Sequence, residues 1–171
     1  MGFVHDHGLC VRAATAEDLP ALARLKAPKA LHRDRLRDAQ SPTFRYLVLE
    51  RAGDVIGFAC LVYARPSYWS DAHDVTHLPQ IVDVRVAPTL RGRGYGSYLI
   101  LAAEQLAARK GCVCIYVAVD PLHNPRAQAL YRRLGYAPLQ SEPYLKHWEF
   151  VDSGGQRHVG DDWLLDMVKP L

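Results

Sequence analysis

The chain has 171 residues, 49% of them apolar, enough to bury a sizeable core within one domain spanning 1–171. Its 21 basic residues barely outnumber the 18 acidic ones, and a net charge of +3 spread along the sequence argues against a nucleic-acid or membrane surface. Residues 1–8 hold no apolar signal core, and no apolar run reaches the roughly 18 residues of a membrane span, so the expected location is the cytoplasm.

In chain order, Leu9–Ala13 reads as a short strand. Thr15-Ala16-Glu17-Asp18 then reads as an N-cap with an acidic first turn, ahead of a helix carrying Leu19, Leu22 and Leu25. Pro28 opens a second helix to about Gln40, read as solvated, with Leu31 and Leu36 facing inward. Residues 44–51 and 55–64 are β-branched and aromatic runs joined by Ala52-Gly53-Asp54, the pattern of an antiparallel hairpin. Residues 65–79 form a long loop carrying Tyr68, Trp69, Asp71, His73, Asp74 and His77, and 80–87 is the next strand. A helical stripe of Leu99, Ala102, Ala103 and Leu106 fills 94–110, with Gly111 as its stop. Residues 112–119 read as a strand buried on both faces, and 125–134 as a helix begun by Pro125 and ended by Gly135. Strand material follows at 136–139, 144–151 and 163–168, with a turn at Asp152-Ser153-Gly154-Gly155.

The cysteines Cys10, Cys60, Cys112 and Cys114 lie in apolar, strand-like runs. C-x-C alone lacks the second pair that a zinc site needs, so reduced thiols, no disulfide and no metal are expected.

Two windows carry chemistry. In the first, the strand Val82-Asp83-Val84-Arg85-Val86-Ala87-Pro88 runs into Arg91-Gly92-Arg93-Gly94-Tyr95-Gly96-Ser97 and then a helix. Such a glycine turn exposes unpaired amides at the positive end of a helix dipole, and Arg91 and Arg93 add local positive charge, so the window suits a phosphate-bearing ligand. No Gly-Lys-Ser or Gly-Lys-Thr is present, which removes the P-loop, and the spacing is not that of a dinucleotide fingerprint. In the second window, Asn124 starts a helix on which Ala127 and Tyr131 follow at three and seven residues, ahead of Leu134-Gly135-Tyr136. Asn124 caps that helix, and Tyr131 lies two turns further along the same face, where it serves either as a core aromatic or as a functional hydroxyl.

Both windows resemble the GNAT family of N-acetyltransferases, whose acetyl-CoA motif [QR]-x-x-G-x-[GA] is matched at every fixed position. The resemblance implies an α/β fold, a mostly antiparallel sheet of about seven strands with a splayed parallel central pair and about four helices. It also implies transfer of acetyl from acetyl-CoA, as co-substrate, directly to a primary amine of a small molecule or peptide. In that reading the backbone of Val84, Arg85 and Val86 meets the thioester and pantetheine arm, residues Arg91 to Ser97 hold the pyrophosphate, Asn124 reaches ligand amides, and Tyr131 protonates the departing thiolate.

The base is open. Gln80 stands where some members carry a Glu, and an amide cannot take the proton. Asp83 stands where polyamine-type relatives carry Asp, as an ammonium-orienting group or as the salt-bridge partner of Arg85 on the same strand. Tyr68, Trp69 and the other polar residues of the 65–79 loop, with Tyr144, His147 and Glu149, suggest an aromatic and acidic mouth for a cationic acceptor. Two other classes remain beside the enzyme. One is a non-catalytic acetyl-CoA sensor, favoured by Gln80 and opposed by Tyr131. The other is a nucleic-acid-binding domain using Arg91, Arg93, Arg132 and Arg133, opposed by the balanced charge and the lack of a binding motif. The acceptor and any homodimer stay undetermined at this level.

Overall fold

The computed structural model describes residues 5–6, 8–63 and 78–171, the first pair by backbone alone. The strands are β1 (His5–Asp6), β2 (Leu9–Ala13), β3 (Phe44–Arg51), β4 (Asp54–Val62), β5 (Gln80–Val86), β6 (Cys114–Val119), β7 (Ala137–Pro138), β8 (Tyr144–Val151) and β9 (Arg157–Pro170). The helices are α1 (Leu19–Leu25), α2 (Lys29–Asp38), α3 (Tyr95–Arg109) and α4 (Pro125–Arg133). One sheet runs β1-β2-β3-β4-β5-β6-β9-β7, with β8 paired to β9 beside it. Every pairing is antiparallel except β5 with β6. Among the described residues no helix is long and apolar enough to cross a membrane.

Period-2 alternation along the central strands gives the sheet two apolar faces, each covered by helices. Leu47, Leu49, Ala59, Leu61 and Ile81 join Leu99, Ile100, Ala102 and Ala103 of α3 and Tyr131 of α4 in the larger core. Tyr46, Val48, Phe58 and Cys60 pack with Leu22 of α1 in the second core, against which Leu25, Leu36 and Val82 also lie. The stripe expected on α3 therefore holds.

Local chemistry explains the element ends. The Asp18 carboxylate accepts the Thr15 amide at 2.8 Å and two guanidinium contacts from Arg12 at 2.8 Å each, which fixes the entry to α1. Pro28 is the N-cap of α2, a place at the helix start where its missing N–H costs no helical bond. Leu36 faces inward as expected, packed half-buried against the second core, but the fully buried residue of α2 is His32, which was not expected, and Leu31 is half-buried. β6 begins at Cys114, two residues later than the apolar run suggests, because Cys112 donates its amide to Ala107 at the end of α3. β9 begins six residues before Trp163, since Asp152 accepts the amides of Gly154 and Gln156 and turns β8 back into a long hairpin. All four cysteines are free; Cys60 alone is fully buried, and the other three are half-buried.

Candidate active site

The glycine turn joins a short 3-10 segment, Pro88–Leu90, to α3. Gly92 and Gly94 have φ of 78° and 83°, a conformation that suits glycine, and a Cβ on either would meet nothing within 4 Å. The space beside this backbone is open. The first-turn amides of α3 sit at the positive end of the dipole; that of Ser97 donates back to the Gly94 carbonyl at 2.9 Å, which leaves those of Tyr95 and Gly96 at the very end of the helix. Arg91 turns back to donate from Nε to the Val86 carbonyl at 3.1 Å, tying the turn to β5. Gly96 lies nearer to α4: a Cβ there would meet Leu130 Cδ2 at 3.4 Å, about ordinary contact. This backbone fits a pyrophosphate.

Beside the turn the sheet opens. β5 and β6 pair only through Gln80 with Tyr116 and Ile81 with Val117, so among the described residues β5 beyond Ile81, including Val84, Arg85 and Val86, has no strand partner on its β6 side, where the Val86 carbonyl accepts Arg91 Nε. An extended amide-bearing arm can pair with such an edge. Gln80 lies buried at the vertex of the split, and among the described residues its Oε1 has no hydrogen-bond partner.

The helix after β6 carries Asn124 and Tyr131. Asn124 Oδ1 caps α4 by accepting the Ala127 amide at 3.3 Å. Tyr131, two turns on, is buried with its ring edge-on to Tyr136 at 5.5 Å between centroids. Burial, and then the negative charge of Asp83, push the Tyr131 hydroxyl well above the ordinary phenol range, so it keeps its proton at any working pH.

Asp83 faces the opposite side of the sheet. Val82 pairs with Cys60 and Arg85 with Phe58, so two residues of β5 oppose Ala59 alone, a β-bulge, and Asp83 takes φ 51° within it. The bulge resets the alternation: Val84 and Val86 pack toward α3, whereas Asp83 reaches the helix pair α1 and α2. There its Oδ2 accepts Lys26 Nζ at 2.7 Å and Arg35 Nη2 at 2.6 Å, while Arg85 Nε stands 3.9 Å from Oδ1. Burial alone would raise the Asp83 pKa, but Arg35 and Lys26 hold it below the usual carboxylate range. The expected pairing with Arg85 is thus the weakest of three. A carboxylate between two bound cations offers no net negative charge to an ammonium.

His32 steadies this cluster. One of its ring nitrogens lies 2.6 Å from the Lys26 carbonyl, which can only accept, so Nε2 carries the hydrogen and Nδ1 accepts the Tyr46 hydroxyl at 2.6 Å. Burial lowers the His32 pKa, which keeps the ring neutral and this tautomer intact. Arg35 lies over the rings of Phe58 and Tyr46, at 5.6 and 5.8 Å from their centroids.

Other expected site residues are not gathered here. Glu149 lies on the exposed β8–β9 ribbon, where both its oxygens accept Arg157 at 2.7 Å. His147 pairs with Asp161, and Tyr144 donates to Asp166. Tyr68, Trp69, Asp71, His73, Asp74 and His77 lie outside the described residues. Sequence reasoning missed Lys26, His32 and Arg35. The available signal was the spacing of His32, Leu36 and Ala39, which puts His32 and the adjoining Arg35 on the apolar side of a helix that reads as charged throughout.

The chain is similar to known acetyltransferases. The streptothricin acetyltransferase of Streptomyces lavendulae is 33% identical over 100 residues, 58% of this chain and 47% of that protein, so the match spans about half of the relative's length. The uncharacterized N-acetyltransferase YhfO of Bacillus subtilis (strain 168) is 30% identical over 112 residues, 66% of this chain and 69% of the relative. In fold, the chain is similar to a GNAT superfamily phosphinothricin acetyltransferase from Sinorhizobium meliloti, solved with acetyl-CoA: TM-score 0.67, 20% identity, covering 96% of this chain and 89% of that one. The model of the acetyltransferase (GNAT) family matches residues 12–136, which take in both chemical windows and the bulged strand, and the chain belongs to that family.

Proposed function

We propose that this protein transfers an acetyl group from acetyl-CoA directly to a primary amine of a small molecule or peptide. One observation carries the reading: an open glycine turn at the N-terminus of α3 adjoins a split between β5 and β6, and the helix after β6 bears a buried, protonated Tyr131. The acetyltransferase names of both relatives support it.

In this reading the amides from Arg91 to Ser97 hold the pyrophosphate, and the free edge of β5 at Val84, Arg85 and Val86 pairs with the pantetheine arm and polarises the thioester carbonyl. Acetyl-CoA supplies an acyl group on a good leaving thiol. The amine nitrogen bonds to the carbonyl carbon as the C–S bond breaks, and Tyr131 gives its proton to the departing sulfur. The proton displaced from nitrogen passes to water and returns to Tyr131. Gln80 cannot take that proton, so the amine reaches the site neutral or loses its proton to solvent. Asp83 acts by holding Lys26 and Arg35 in place.

The buried amide of Gln80 favours one other reading, a sensor that binds acetyl-CoA without turnover. Release of free CoA across a panel of amines separates the two. Amine-stimulated release is expected; tight acetyl-CoA binding with no release for any amine would favour the sensor.

A further inference from the structure

We infer that Lys26, Arg35 and Arg85 form an oxyanion site for the acceptor, which is therefore an amine that also carries a carboxylate. The inference rests on the acetyl-transfer reading and adds the acceptor class to it.

Three cations meet one carboxylate. Lys26, Arg35 and Arg85 all lie within 4.0 Å of Asp83, the carboxylate paired with them, so that among the described residues three cations share one carboxylate. Among the described groups around them, His32 is neutral, the Cys60 thiol is pushed by burial up to about 11, burial raises the Tyr46 hydroxyl too, and the nearby Asp38 carboxylate has its own cation, Arg37, at 4.0 Å. The hydrogen bonding is also incomplete. Among the described residues Arg35 Nη1 and Arg85 Nε are buried without a hydrogen-bond partner, a costly state for a guanidinium that a ligand oxygen would relieve.

Access and position suit a ligand. Arg35 is 14% exposed and fixed against Phe58 and Tyr46, whereas Lys26 and Arg85 are 31% and 35% exposed at the edge of the cluster. His32 fixes the Lys26 carbonyl at the end of α1, so this lysine extends from an ordered turn. The cations cannot serve the pyrophosphate, because they lie on the α1–α2 side of the sheet, across from the core that α3 and Tyr131 share. A cofactor anchored at the N-terminus of α3, with its sulfur near Tyr131, fills the other side of the split. The amine then has to arrive from the α1–α2 side, past Asp83 and its three cations.

The test compares free amino acids with their own amides and with the matching decarboxylated amines, measuring kcat/KM by CoA release. Wild-type protein is expected to favour the carboxylate form by about 10- to 100-fold, the usual worth of a hydrogen bond to a charged group. Arg85→Gln, which removes the guanidinium charge, keeps a polar side chain and breaks no close ion pair, should bring that ratio toward unity. Lys26→Gln, which leaves the Asp83–Arg35 pair in place, is the second variant. Equal turnover of acids, amides and decarboxylated amines by the wild type would overturn the inference and leave acetyl transfer standing. So would an unchanged ratio in both variants, or a loss of acetyl-CoA affinity in Arg85→Gln that matches its loss of activity. Failure of the wild type to bind acetyl-CoA would instead overturn the function from which the inference starts.

Discussion

Asp83→Asn removes one charge and almost no volume, leaving Lys26, Arg35 and Arg85 facing one another around a neutral amide. Taking one partner from a buried ion pair costs about 3–5 kcal/mol. Lys26, nearly a third exposed, can swing into solvent, but Arg35 is held against Tyr46 and Phe58 and cannot. The lower end, about 3 kcal/mol, is therefore expected, and for a chain of this length it corresponds to a fall in Tm of roughly 6–12 °C. The pH dependence has a definite sign. Arg35 and Lys26 hold the Asp83 carboxyl below its unfolded value of about 4, so its stabilisation is present above that pH and is lost as pH falls through the folded pKa. Urea unfolding of wild type and Asp83→Asn from pH 7 to pH 3 measures both effects. The gap should be near 3 kcal/mol at neutral pH and should shrink below about pH 4. A gap under 1 kcal/mol at pH 7, or one that stays constant with pH, would refute the buried-cluster argument.

Tyr131→Phe should lower kcat by about 100-fold while acetyl-CoA affinity changes little, because only the acidic hydroxyl is lost; an unchanged kcat under chemistry-limited conditions would remove Tyr131 from the mechanism. Because burial keeps that hydroxyl protonated, it should contribute no limb to the pH–rate profile below pH 10, and a limb that vanishes in Tyr131→Phe would contradict this. Cys60, buried with its thiol pushed up to about 11, should resist alkylation at pH 8 in the folded protein while the half-exposed Cys10, Cys112 and Cys114 react; peptide mapping that finds Cys60 labelled without unfolding would show the second core to be open.

The windows legible in the sequence were those whose physics is local. Glycines at positive φ before a helical stripe, and an asparagine followed at seven residues by a tyrosine, are properties of short segments, and they appear in the structure as a turn onto α3 and a capped α4. The charge at Asp83 was not legible, because its partners Lys26 and Arg35 lie 57 and 48 residues away and reach it only after a bulge turns its side chain toward α1 and α2. Strand periodicity carries no sign of such a bulge beforehand. His32 was hidden differently: among the charges of α2 it reads as one more solvated group, and only tertiary packing makes it the buried link between Tyr46 and the Lys26 carbonyl. The strand-end errors at Cys112 and Trp163 came from hydrogen bonds to a helix end and to a turn carboxylate.

The most direct test of the account is calorimetric titration of acetyl-CoA into wild-type protein and Gly94→Asp. At φ 83° with open space beside it, Gly94 caps α3; an aspartate there is strained by about 1–2 kcal/mol and puts a carboxylate where the pyrophosphate should lie. The account predicts saturable binding to the wild type and none measurable to a Gly94→Asp variant that circular dichroism shows to be folded. Equal affinity in the two proteins would contradict it.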